Sequence, residues 1–400
     1  MPRVLINAMA STAGGGRTYL QNVLPRLAKF APDNYSFLVL VPPEQIDDYR
    51  SAAGPRLTIE GPRVGGGLPG RWWWEQTRLR ARLRKQSFDV LVALGNFAVW
   101  CSPVPQILFN RNDLYFCQAF GRDLKARREC GMWLEHAIKS RLARYSIRQA
   151  DINVAPTQAF ADRIRRVGSL RQCRFEVLPF GFDDAVFRAN RSPLAPELAA
   201  RLPPDPDCLR LLYVSHYNYF RNFETLLRAL PLIKEKVLKE SGRRVQLVLT
   251  TEIERGAVYG GYDATDAAEL LDRLGIRDDL VMLGSVPYRQ LHRVYAACDL
   301  FVCPSYSESF GHPLLEAMAS GLPVAAANLP VHREVCGDAA VYFDVFDPAE
   351  LADRCARLLG DEILRRQLID RGLAQAKKFS WDRHVQLLVG LIKEVHQLIS

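Results

Sequence analysis

The sequence predicts an α/β protein of two doubly wound domains facing each other across a cleft. Two observations carry that prediction. Short runs rich in aliphatic and β-branched residues alternate with amphipathic stretches of helical period, the pattern of parallel strands each followed by a covering helix. The alternation is broken once, by a proline-rich segment, and then restarts. A chain of 400 residues has room for two such domains, since single cores stop growing beyond roughly 250 residues.

In the first half, strands are predicted at residues 4–8, 36–41, 90–94, 106–109 and 152–155. A helix follows Gly14-Gly15-Gly16, a second covers residues 72–85, and the basic stretch 123–149, poor in breakers, reads as a third. Then Pro193, Pro196, Pro203, Pro204 and Pro206 punctuate the chain. Each proline fixes φ and lacks a donor, so no single helix or strand runs through them. The first domain is therefore placed at residues 1–188 and the linker at 189–207. Beyond it come strand 209–214, helix 223–239, strand 245–249, helix 264–274 and strand 280–283. Helix 288–297, strand 300–303, helix 313–320 and strand 323–327 follow. The second domain is placed at 208–380, with an amphipathic helix at 381–400 expected to pack back onto the first. Ligands of open parallel sheets sit at the carboxyl ends of strands, which makes the cleft the predicted site.

Composition narrows the function classes. With 48% apolar and 24% charged residues, the chain is neither disordered nor fibrous. Its 53 Lys and Arg exceed 44 Asp and Glu, a net charge of +9 that suits an anionic partner such as a nucleotide or a phospholipid surface. The excess is dispersed and no nucleic-acid module is recognisable, so no nucleic-acid partner is expected. Nine cysteines stand singly, with no C-x-x-C and no Cys/His pair at zinc spacing. They are read as reduced core thiols of a cytoplasmic chain without a bound metal. No apolar run approaches the ~18 residues of a membrane span. The apolar stretch at the start is short and interrupted by Asn7, unlike a signal peptide. The expected location is cytoplasmic, at most against the inner face of a membrane.

The most informative segment runs from Pro304 through Glu308, Phe310, Gly311, Pro313, Leu314 and Glu316 to Gly321 and Pro323. A strand ends at Cys303, a loop carries Glu308 and Gly311, Pro313 suits a first helical turn, and Gly321 suits a C-cap. Free backbone N–H groups around Phe310–Leu314 and the positive end of the helix dipole make an anion site suited to a diphosphate. Glu308 before that site and Glu316 a turn into the helix are placed to accept hydrogen bonds from sugar or ribose hydroxyls. The same spacing also fits a helix whose acidic residues merely stabilise its N-terminus.

Glu308, seven intervening residues and Glu316, with Phe310-Gly311 and Pro313 between them, resemble the E-x7-E signature of the retaining glycosyltransferases of family four. Gly14-Gly15-Gly16, Leu178-Pro179-Phe180-Gly181, the stretch from Ser215 to Leu227, Leu283-Gly284-Ser285-Val286-Pro287 and Phe379-Ser380-Trp381 fall where that family has comparable segments. The resemblance implies the GT-B fold and a nucleoside-diphosphate sugar donor. It implies that His216 and Arg221 hold the diphosphate, although the family's usual residues there are Arg and Lys. Glu308 would bind hydroxyls of the transferred sugar, backbone N–H groups near Phe310, Gly311 and Leu314 its oxygens, Glu316 the ribose, and the backbone near Val286 the base. Gly15 and Gly16 would let the first domain's loop approach the diphosphate. Asn112-Asp113 stand where many relatives have His-Asp, leaving Asn112 to bond acceptor hydroxyls and Asp113 as an acceptor-side base. His216 is alternatively a loop histidine bonded to backbone, and Asp113 a turn cap.

By the same resemblance the mechanism is same-face attack by the acceptor hydroxyl with retention. Arg221, His216 and the helix N-terminus would stabilise the leaving diphosphate, and no metal or cofactor is required. The expected reaction moves a hexose-type sugar to a lipid-linked or other glycan acceptor in envelope polysaccharide or glycolipid synthesis. A nucleotide-sugar epimerase or hydrolase of the same fold, and a non-catalytic sugar-nucleotide binding protein, are the alternatives. Between Trp72 and Lys85, Trp72, Leu79 and Leu83 share a face beside Arg78, Arg82 and Lys85. That helix either docks on its own sheet or lies peripherally on an anionic bilayer and presents a lipid-linked acceptor.

Overall fold

Seven parallel strands build one sheet of the computed structural model, which describes residues 2–12, 15–183, 186–187 and 192–397. They are β1 (Arg3–Asn7), β2 (Ser36–Leu40), β3 (Leu57–Glu60), β4 (Val90–Ala93), β5 (Gln106–Phe109), β6 (Ile152–Ala155) and β7 (Phe175–Val177). Their order is β3-β2-β1-β4-β5-β6-β7, every pair parallel. The chain leaves β1 for β2 on one side and later returns to β4 on the other, so the strand order reverses between β1 and β4. This sheet belongs to a unit comprising Met1–Gly181 and Ser380–Ser400.

The second unit is Phe182–Phe379. Its sheet contains β8 (Cys208–Tyr213), β9 (Arg244–Leu249), β12 (Leu280–Met282), β13 (Leu300–Cys303), β14 (Val324–Ala327) and β15 (Ala340–Phe343). A short antiparallel hairpin, β10 (Val258–Tyr259) and β11 (Tyr262–Asp263), stands apart from it. The sheet order is β12-β9-β8-β13-β14-β15, all parallel, with the reversal between β8 and β13. β8 and β13 are buried along their whole length, as expected for central strands covered on both faces.

The segment read as a linker is not a free tether. Within residues 192–207, Pro196–Arg201 is helical, with Pro196 in the first turn where its missing N–H costs nothing. The Ala195 N–H donates to Gln290 Oε1 at 2.8 Å, Arg201 to the Met282 carbonyl, and Arg244 pairs with Asp205 at 2.7 Å. These bonds tie the prolines to the second unit, and the two units divide earlier, at Gly181 and Phe182. Residues 189–191 of the expected linker lie outside the described residues.

Two helices also depart from expectation. The stretch 123–149 is broken: one helix spans Gln118–Ala126 and the next Cys130–Gln149. Arg128 takes φ 62°, and the N–H groups of Glu129 and Arg128 close on the carbonyls of Leu124 and Lys125 at 2.9 and 3.1 Å. This is a Schellman stop built on a residue other than glycine. The helix read at 72–85 begins at Gly67 and contains a π turn, Glu75–Leu79, before continuing as Arg80–Lys85.

That helix docks on its own sheet. Leu79 and Leu83 join Leu5, Met9 and Leu91 in the core, and Trp72 meets Trp100 edge to face at 5.1 Å. Arg82 is spent on Glu60 at 2.7 Å. The closing helix, Trp381–Gln397, packs in the first unit, where the Tyr19 hydroxyl and His384 Nε2 lie 3.0 Å apart. Pro179's carbonyl, which only accepts, receives the His384 Nδ1–H at 3.0 Å, so Nε2 is left to accept from Tyr19.

Candidate functional site

The reversal between β8 and β13 brings two loops together at their carboxyl ends. Tyr213 ends β8, and its hydroxyl donates to the Arg221 carbonyl at 2.9 Å and lies 2.9 Å from Ser305 Oγ in the loop after β13. Asn218 caps the turn Tyr219–Arg221 by accepting the Arg221 N–H at 3.2 Å. Asn222 follows in the left-handed region, φ 55°, a conformation Asn tolerates better than most residues. Its Nδ2 donates to the carbonyls of Pro304 and Val345 at 3.0 and 2.7 Å, and its Oδ1 accepts from Thr225 at 2.8 Å. One side chain thus ties together the loops after β8, β13 and β15.

Held this way, the Arg221 guanidinium forms an ion pair with Glu308. Arg221 Nη1 also lies 3.4 Å from Ser305 Oγ, and the guanidinium sits over the Phe220 ring at 5.1 Å. The structure therefore brings together two of the residues singled out in the sequence. His216 lies in the same loop, exposed. Its carbonyl accepts from Ser215 Oγ at 2.9 Å and Asn218 Nδ2 at 3.4 Å.

The helix after β13 spans His312–Ala319. Gly311 caps it at φ 88°, a left-handed conformation that favours glycine. Phe310 and Leu314 are core side chains; Phe310 stacks edge to face with Phe379 at 5.6 Å. One expectation is corrected here. The Leu314 N–H is not free, because it donates to the Gly311 carbonyl at 3.0 Å and closes the first turn. Val286 is half-buried in the loop after β12.

Glu316 is buried, and its Oε2 accepts from the Tyr295 hydroxyl at 3.1 Å. Burial pushes its pKa up to about 7, against the lowering effect of the Tyr295 hydrogen bond. Tyr288 and Tyr295 are pushed upward in turn, first by burial and then by the Glu316 charge. In the unfolded chain Glu316 ionises near 4.5, and in the fold near 7. The folded state therefore holds its proton longer, and stability from this group is lost as pH rises from about 4.5 through 7. Glu316→Gln is expected to remove that loss, on the order of 3 kcal/mol by pH 8. Thermal melts of both proteins between pH 5 and 8 check it, the variant's midpoint falling less.

Cys303, Glu308 and His332 place potential ligand atoms within 4.8 Å of one another. His332 donates from Nδ1 to the Ala327 carbonyl at 2.8 Å, turning Nε2 toward Cys303 Sγ at 3.9 Å. Among the described residues these are the side chains that could hold a metal ion, but the Arg221 guanidinium already pairs with Glu308 and repels a second cation. Nothing in the sequence pointed to His332 or to Tyr295, because the side chains they meet, Cys303 and Glu316, stand 29 and 21 positions away.

In the first unit, Gly15 and Gly16 open the helix Gly15–Phe30; Gly14 lies outside the described residues. A Cβ on Gly16 would lie 2.9 Å from Ser11 Cα, so this glycine is already needed for its own chain's approach. The Gly15 carbonyl accepts from Arg111 at 2.9 Å. Asn112 caps the turn Asp113–Phe116 by accepting the Leu114 N–H at 3.1 Å. Asp113 is a correction: it is 3% exposed and ion-paired with Arg163. The turn after β5 draws it inward, away from service as a free base.

Two family models match the chain, "Glycosyltransferase Family 4" over residues 13–186 and "Glycosyl transferases group 1" over 196–375. The chain is 36% identical over 172 residues to O-antigen chain mannosyltransferase B of Escherichia coli, covering 43% of this chain and 42% of that protein. It is 31% identical over 238 residues to the D-inositol 3-phosphate glycosyltransferase of Nocardia farcinica, covering 59% and 51%. It spans about half the length of the curated relatives it matches. The structure of HepE of Anabaena in complex with UDP and glucose superposes with a TM-score of 0.69 at 17% identity, covering 98% of this chain and 100% of that one. Two parallel sheets with reversed strand order, and family models that together take up most of the sequence, lead to one assignment. The chain belongs to the family-four-like glycosyltransferases of GT-B fold.

Proposed function

We propose that the chain is a retaining glycosyltransferase that moves a hexose from a nucleoside-diphosphate sugar to a hydroxyl of a glycan acceptor. The observation that carries this reading is the Arg221–Glu308 pair at the reversal between β8 and β13, where open parallel sheets bind ligands. A diphosphate arriving there exchanges Arg221 from one anion to another, and the freed Glu308 carboxylate accepts hydroxyls of the transferred sugar. As the glycosidic bond breaks, charge grows on the departing phosphate, and a guanidinium already in place stabilises it without reorganisation. His216, exposed in the same loop, adds charge toward the phosphate when protonated. Glu308 serves hydroxyls and not as a nucleophile. The acceptor hydroxyl therefore attacks on the face the diphosphate leaves, and the phosphate takes its proton. No metal is needed, since a guanidinium stands where a cation would.

Acceptors of envelope polysaccharide synthesis are supported by the likeness to the O-antigen mannosyltransferase. Contact with an anionic bilayer, and so a lipid-linked acceptor, is supported by Trp73, Leu134 and Ile138, large apolar side chains exposed on the first unit. No helix among the described residues is long and apolar enough to cross a membrane.

The test is a thermal-shift series with GDP-mannose and UDP-glucose, because a ligand of the native state raises its melting point. Transfer to octyl α-mannoside is followed in parallel. One donor is expected to raise the midpoint and to be consumed faster with acceptor present. Stabilisation without transfer would favour a binding protein, and consumption independent of acceptor a hydrolase.

A further inference from the structure

The first unit contains a carboxylate to which neither the resemblance nor the comparisons give a role. Glu75 opens the π turn Glu75–Leu79, a helix irregularity frequent at functional sites. Leu79 and Leu83 hold the rest of the helix in the core. Glu75 reaches the carboxyl end of β1, where its Oε1 accepts from Asn7 Nδ2 at 3.0 Å. This is the reversal between β1 and β4, the counterpart in this sheet of the place where Arg221 and Glu308 meet in the other.

Glu75 is only 6% exposed and poorly supplied with donors. A carboxylate offers about four acceptor positions, and the structure gives it one amide bond. Arg71 forms an ion pair with it, Nε to Oε1 at 3.8 Å, too long for a hydrogen bond, and that Nε has no hydrogen-bond partner of its own. Burial outweighs both neighbours and holds the Glu75 pKa above the usual carboxylate range. Ser11, in the loop that leaves β1, is 3% exposed, and its Oγ also lacks a hydrogen-bond partner; it lies 3.3 Å from where a Cβ on Gly16 would stand. Asn112, hydrogen-bonded to Tyr115, which lies near Arg71, brings the end of β5 toward the same group. Buried polar atoms are ordinarily satisfied, and a ligand with several hydroxyls would complete these.

We propose that Glu75, at the carboxyl end of β1, forms a hydroxyl-binding subsite that recognises a polyhydroxylated acceptor. The proposal rests on the glycosyltransferase reading and supplies an acceptor-side carboxylate where Asp113 is engaged with Arg163.

Glu75→Gln preserves the shape of the side chain and the oxygen that accepts from Asn7, and removes the charge. Loss of a hydrogen bond to a charged group is expected to lower kcat/KM for octyl α-mannoside about tenfold to a hundredfold. The donor KM and the thermal shift given by GDP or UDP are expected to stay within about twofold, since Arg221, Glu308 and Glu316 lie in the other unit. Asn7→Ala removes only the bridge, and its acceptor kcat/KM is expected to fall less than about threefold. A merely structural Glu75 would make the Asn7 variant as poor as the Glu75 variant, or leave the Gln protein unfolded, and either result overturns the proposal. So would acceptor kinetics unchanged in Glu75→Gln. Calorimetric binding of octyl α-mannoside without donor separates this inference from the reading beneath it. A wild type that binds the glycoside but consumes neither donor sinks the transfer reading alone. A wild type that does not bind it, or a Gln variant that binds equally, sinks the subsite.

Discussion

Arg221→Ala is expected to lower kcat about a hundredfold to a thousandfold, the usual cost of deleting one group that stabilises transition-state charge. Donor affinity should fall about tenfold to a hundredfold in the same variant, because the deleted contact is charge-assisted. Arg221→Lys keeps the charge without the planar fork and should recover part of the binding but little of the turnover. The substitution also strands Glu308, which is 10% exposed. The double variant with Glu308→Ala is therefore expected to melt higher than Arg221→Ala alone. Steady-state kinetics on the three proteins, with their melting curves, decide the matter. Unchanged kcat in Arg221→Ala would remove the guanidinium from the mechanism.

Gly181→Ala is expected to produce the largest loss of stability. A Cβ at this position would lie 2.2 Å from the backbone nitrogen of Trp381 and 2.6 Å from the carbonyl carbon of Ser380. Both are backbone atoms, so no side-chain rotation relieves the clash, and the chain at the start of the helix Trp381–Gln397 must move. Behind it lie the edge-to-face contacts of Trp381 and Tyr19 at 5.7 Å and the Arg26–Asp382 ion pair at 2.7 Å. Overpacking of this kind costs about 3 kcal/mol or more. Amide exchange should show the closing helix losing protection before the sheet does, and a variant with native protection there would contradict the packing described.

What the sequence made legible follows burial. Strands β4, β5, β6, β13 and β14 are buried along their length and read as short, mostly apolar runs, broken only by the buried Gln106 and Asn153. Strands β3, β7 and β15, edge strands with half-exposed residues, escaped notice, whereas β12, an edge strand half-exposed along its length, was read from its apolar run Leu280–Met282. The interruption at Arg128 and the π turn at Glu75 depend on one residue's dihedrals and one extra backbone step, to which helical periodicity is blind. At the site, the loop with Glu308 and Gly311 was visible as a motif and the Arg221 loop through the resemblance. That the two meet follows from strand order, which pairs residues 87 positions apart. Asp113 failed as a predicted base for the same reason, since Arg163, 50 positions on, was not adjacent on any local reading.

Asn222 has a consequence for anyone redesigning this protein. Its amide fastens three chain segments before any substrate arrives, so the disorder those loops could have had is removed during folding and not at the moment of capture. Remodelling which sugar is accepted should therefore leave that knot untouched and vary the residues it presents. Loosening it would weaken every donor alike, without making the protein choose differently among them.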